Sequence, residues 1–81
     1  MTNAEIIRRL RSDAAGLDQQ GANLYRVRAY RQAAFRLSQL NEPIADLGPA
    51  HLQEIGIGRH LASTVYQWAL DAVEAEVTNE T

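Results

Sequence analysis

The sequence contains no cysteine. Disulfides and thiolate metal sites are thereby excluded. It contains no lysine either, and all of its 8 basic side chains are arginine. Chemistry that runs through a side-chain amine, a Schiff base above all, has no residue to perform it, because a guanidinium stays protonated. Long apolar runs are also missing, and nothing approaches the roughly 18 consecutive apolar residues of a membrane span. The opening segment carries Glu5, Arg8 and Arg9 and lacks the apolar stretch of a signal peptide. The expectation is a cytoplasmic protein with no membrane contact. Histidine is scarce as well: His51 and His60 stand alone. Two histidines without cysteine make no transition-metal ligand set. No Ser-His-Asp or paired-carboxylate arrangement is visible, since Asp13 and Asp18 flank an otherwise structural face. Neither a catalytic residue nor a small-molecule substrate is expected.

What is present fits one small globular domain. The chain has 81 residues, of which 46% are hydrophobic, enough for a core without metal or disulfide staples. Its net charge is −2, yet the charge is unevenly spread. No acid falls between Gln19 and Asn41, and Arg26, Arg28, Arg31 and Arg36 lie inside that window. The acids Asp71, Glu74, Glu76 and Glu80 crowd the end. Binding depends on the local field, so a basic face can coexist with an acidic whole.

Periodicity places four helices, at about 3–19, 24–40, 49–55 and 59–75, in a single domain over 1–76 with a disordered acidic tail at 77–81. Thr2 and Glu5 form a capping-box pattern before an apolar stripe of Ile6, Leu10, Ala14 and Leu17. Gly21 ends the first helix and Asn23 caps the second. Pro43 ends the second, because it disfavours helix in Glu42, and Ile44, Ala45 and Leu47 pack as a connector. Pro49 opens the third at the position where a missing N–H costs nothing. On the last helix Leu61, Val65, Trp68 or Ala69, and Ala72 share a face. The expected core is Ile6, Leu10, Leu17, Val27, Tyr30, Ala34, Leu37, Leu47, Leu52, Ile57, Leu61, Val65 and Ala69.

Between the third and fourth helices runs Leu52-Gln53-Glu54-Ile55-Gly56-Ile57-Gly58-Arg59-His60-Leu61-Ala62. It resembles the helix-hairpin-helix motif. Two glycines two apart allow a tight turn. Consecutive N–H groups at the start of the next helix, together with its positive dipole end, make a cradle for a phosphate oxygen. Ile57 would anchor the turn, and Ala62 would let the helices close up. The bland alternative is a tight connection between packed helices.

A second stretch, Asn23-Leu24-Tyr25-Arg26-Val27-Arg28-Ala29-Tyr30-Arg31-Gln32-Ala33-Ala34, resembles a helix of the amino-terminal lyase domain of family X, polymerase β-like, DNA polymerases. The Gly-x-Gly hairpin follows at the family's spacing. The resemblance implies a compact all-α, four-helix domain that holds a 5′-phosphate or the backbone of gapped DNA. It implies contacts through Tyr25, Arg26, Arg28, Arg31, Gly56, Ile57, Gly58, Arg59, His60 and Thr64. It also implies a monovalent cation, Na+ or K+, at the backbone carbonyls of Leu52, Glu54 and Ile57. The chain departs from the family where that chemistry resides. The nucleophilic lysine aligns with Thr64 and a second hairpin lysine with His60. Ile55 stands where proline is common. For Tyr25 the alternatives are base stacking and a half-buried helix edge. For the arginines they are a phosphate-binding face and a solvated one. The resulting expectation is a sequence-independent, non-catalytic DNA-binding module. The alternative is a protein–protein interaction module that kept the fold.

Overall fold

The computed structural model describes residues 2–79, with side chains described as far as residue 70. Four α-helices follow in order: α1 (Asn3–Gln19), α2 (Leu24–Ser38), α3 (Pro49–Glu54) and α4 (Arg59–Asn79). A single 3-10 turn, Ile44–Asp46, links α2 to α3. Among the described residues there is no strand. α2 stops two residues short of its expected end. α4 runs through the domain boundary placed at 76 as far as Asn79, in keeping with a run of alanines and glutamates that favour helix. The rest of the expected tail, 80–81, and the side chain of Ala72 lie outside the described residues.

The helix ends carry the chemistry that their sequences imply. Thr2 Oγ1 accepts the Glu5 N–H at 3.2 Å. The reciprocal half of the expected capping box is replaced: the Glu5 carboxylate takes the Thr2 hydroxyl at 3.2 Å. Asn23 Oδ1 accepts the Tyr25 N–H at 2.8 Å and opens α2. Gly21, at φ +74°, closes α1. Its N–H and that of Ala22 return to the carbonyls of Asp18 and Leu17 at 3.1 and 2.9 Å, the paired bonds of a Schellman turn. One long-range tie has no local signature. The Asn3 side-chain amide donates to the Glu42 carbonyl at 2.8 Å and accepts the Ile44 N–H at 3.0 Å, pinning the start of α1 to the connector.

α1 and α2 make the most extensive helix pair. Ile6, Leu10, Leu37, Ile44, Leu52 and Val65 are fully buried. Ile57, Leu61, Ala62 and Ala69 join them in one cluster that binds α3 and α4 to the pair. Each buried isoleucine, leucine or valine among them stabilises the fold by roughly 1.5–3 kcal/mol. Three residues expected in the core are only half-buried: Leu17, Tyr30 and Leu47. Leu17 lies in the last turn of α1, and with Tyr30 it lines a shallow open hollow beside Ser12, Asp13, Gly16 and Gln20. Leu47 is displaced by Ile44, which takes the buried place on the 3-10 turn. Trp68 is half-buried too, and the Arg9 guanidinium lies 4.1 Å from the centre of its ring, tying α1 to α4.

Candidate nucleic-acid interface

The hairpin begins as α3 ends. Gly56 has φ +104°, a conformation that favours glycine. Its N–H donates to the Gln53 carbonyl at 3.0 Å, and the Ile57 N–H donates to the Leu52 carbonyl at 3.1 Å. This is a second Schellman turn, and the apolar contact that goes with it joins Ile57 to Leu52, both buried. The expectation that the whole Gly56–Gly58 stretch offers its amides is thereby corrected. The amides of Gly56 and Ile57 are consumed inside the turn.

The open amides lie one step further on. The first bond of α4 runs from the Ala62 N–H to the Gly58 carbonyl at 2.8 Å. Among the described residues no carbonyl takes the N–H of Gly58, Arg59 or His60, as the start of a helix dictates. Gly58 itself needs no glycine for the chain's sake. It does not share the positive φ of Gly56, and a Cβ added there would meet nothing within 4 Å. Of the two glycines expected to permit the turn, only Gly56 uses the backbone freedom of a positive φ. What Gly58 does is leave α4 without a side-chain cap, whereas Thr2 and Asn23 cap α1 and α2.

α2 passes along this bare end. One hollow is lined by Tyr25, Arg26, Ala29 and Tyr30 from α2, and by Gly58, Arg59, His60 and Leu61 from the start of α4. The next is lined by Tyr25, Arg28, Ala29, Gln32, Gly56 and Gly58. Tyr25 is 82% exposed above both, which answers the half-buried alternative for its ring. Tyr25, Arg26, Arg28, Gly56, Gly58, Arg59 and His60 are thus brought together, with Ile57 buried beneath them as the anchor.

Two expected residues are not part of this groove. Arg31 turns toward α1, where its Nη2 stands 3.9 Å from Asp18 Oδ2. The acid-free window left Arg31 looking unpaired because its partner lies one residue outside that window, on a different helix. Thr64 is half-buried on α4, and its hydroxyl donates to the His60 carbonyl at 3.1 Å.

Sequence reasoning placed Arg36 in the acid-free window and gave it no part in the hairpin. Its Nη1 donates to the Ile55 carbonyl at 3.1 Å, and its guanidinium lies so close over Gly56 that a Cβ there would stand 2.8 Å from Cζ. Arg36 is a strut from α2 to the hairpin, and it places a fixed positive charge at the negative end of α3. The available signal was the spacing: Tyr25, Arg28, Gln32 and Arg36 follow at helical steps on one face. The same charge bears on the monovalent cation implied by the resemblance. The Leu52 carbonyl takes the Ile57 N–H, and the Arg36 guanidinium lies over Gly56 and bonds the neighbouring Ile55 carbonyl. Among the described residues no cluster of three or more His, Asp or Glu side chains is suited to a metal ion.

A family model described as a helix-hairpin-helix domain matches residues 1–74. No curated protein and no solved structure matches the chain.

Proposed function

The chain belongs to the helix-hairpin-helix domain family, and on that basis we propose that it is a non-catalytic module that holds the DNA backbone without reading its sequence. Domains of this kind generally bind nucleic acid. The observation that carries the reading is Gly58, a glycine that neither backbone strain nor packing requires, placed where it leaves the α4 amides bare beneath Arg26, Arg28 and Arg59. A phosphate oxygen meets N–H donors and the positive end of a 21-residue helix there. Contact with phosphate supplies affinity and position, not base specificity. The likeness of Asn23–Ala34 to the polymerase β-like helix favours 5′-phosphate ends, gaps or junctions over intact duplex. No lyase step accompanies binding in this reading. The chain has no lysine, and the hydroxyl of Thr64, at the aligned position, is turned back onto its own helix.

Titration against gapped, nicked, single-stranded and intact DNA at low salt tests the proposal, with binding expected and gapped DNA preferred. Borohydride trapping on an abasic substrate is expected to leave no adduct. Three exposed large apolar side chains, Leu24, Tyr25 and Phe35, favour a second reading, a protein-interaction module. That reading replaces the first if no DNA form binds.

A further inference from the structure

α2 carries one more exposed ring. Phe35 is 63% exposed. It walls a hollow with Arg36, Gln39, Leu40 and Ile55. That hollow adjoins the groove already described, because the Arg36 guanidinium that lines it reaches across to Gly56, and Gly56 lines the next hollow with Arg28 and Gln32. Tyr25, Arg28, Gln32 and Phe35 succeed one another at steps of three and four, so they share a face of α2, and Gln39 caps the helix next to Phe35's hollow. Among the described residues no carboxylate lines any of the three hollows.

We propose that this face prolongs the phosphate cradle into a track for a single-stranded segment of nucleic acid, with an unpaired base stacked on Phe35 beside Arg36. The proposal rests on the DNA-binding reading and narrows it. Three features point the same way. The charge is of one sign, with Arg28 and Arg36 spaced along a groove free of acids, which suits a polyanion. The ring offers a flat apolar face at the groove's edge, and a base offers the matching face only when it is not stacked within a duplex. The span also fits. Tyr25 and Phe35 are ten positions apart on one helix, about 15 Å at the helical rise of roughly 1.5 Å per residue. That is about four nucleotides at the roughly 3.4 Å spacing of a stacked strand. The phosphate cradle lies beside Tyr25, so the track runs from it past Arg28 and Gln32 to Phe35.

The test compares wild type with Phe35→Ala and Phe35→Trp, using a labelled single-stranded oligonucleotide and a blunt duplex of the same length. Phe35 is exposed, so neither substitution threatens the fold, and thermal melting checks this. Phe35→Ala is expected to weaken single-strand binding by roughly tenfold or more and to change duplex binding less than about twofold. Phe35→Trp is expected to retain single-strand affinity. A 2-aminopurine base in the oligonucleotide should lose fluorescence on binding wild type and keep it with Phe35→Ala. The slope of affinity against salt should not change, because no charge is removed. Equal losses on both DNA forms, or no loss on the single strand, overturn the proposal while leaving backbone binding intact. Failure of wild type to bind either form overturns the DNA-binding reading and the track with it. A protein that self-associates through Phe35, shown by sedimentation of the alanine variant as a smaller species with unchanged DNA affinity, also overturns it.

Discussion

Gly56 and Gly58 look alike in the sequence and differ in their reasons. Gly56 occupies a backbone conformation closed to most side chains, whereas Gly58 has open space where a Cβ would go. The difference gives a substitution that separates fold from function. Gly58→Ser restores a side-chain cap to α4, worth a few tenths of a kcal/mol over glycine at that position. The serine oxygen would accept the N–H of His60 or Leu61, the donors otherwise free for phosphate. Thermal melting is expected to show stability unchanged or slightly raised. DNA affinity is expected to fall by about tenfold or more, because hydrogen bonds to a charged group contribute about 1.5–3 kcal/mol each. A stable Gly58→Ser protein that binds as well as wild type would place the phosphate elsewhere. The Gly-Ile-Gly pattern was legible as a turn from sequence alone. Which of its amides remain free was not, because that depends on the Schellman bonds that end α3, and these become visible only with the backbone path.

Element by element, the helices were legible because their signals are local. Thr2, Asn23, Gly21 and Pro49 each act within a few residues, and the apolar stripes repeat at helical spacing. What joins the elements was not legible. Asn3 ties to Glu42 and Ile44, and Arg36 ties to Ile55, across 39, 41 and 19 residues respectively. Such ties depend on how helices dock, and docking is set by the whole core. The Arg36 strut yields a prediction about the hairpin as a unit. Gly56→Ala forces a side chain into a positive-φ conformation, a strain of about 1–3 kcal/mol, and pushes the guanidinium from its place. Arg36→Met keeps most of the apolar stem and loses the bond to Ile55. Because both remove the same contact, the double variant is expected to lose less stability than the sum of the two singles. The shortfall should be about 0.5 kcal/mol or more by denaturant unfolding. Strict additivity would mean that the strut carries no energy.

At the scale of the molecule, the proposed binding asks a chain of net charge −2 to attract a polyanion. The answer lies in where its charges sit. Arg26, Arg28 and Arg59 line the groove beside the α4 amides, while Asp18 occupies Arg31 on the far side of α2. Residues 71–81, whose side chains are not described, hold Asp71, Glu74, Glu76 and Glu80. Three arginines in the groove set the expected salt dependence. With about three phosphates neutralised, log affinity against log salt should fall with a slope near −2.7 on duplex DNA. The pair Arg28→Gln and Arg31→Gln then tells a local field from a general one. Both substitutions make the net charge one unit more negative. If affinity followed the net charge, the two variants would lose equally. If it follows the groove, Arg28→Gln should weaken binding and flatten the slope by about 0.9. Arg31→Gln should leave the slope unchanged, because it removes only an exposed ion pair worth about 0.2–1 kcal/mol to stability. Binding isotherms at four or five salt concentrations are enough to decide. Equal flattening by both variants would mean that the groove arginines hold no special place in binding, and the groove assignment would fall.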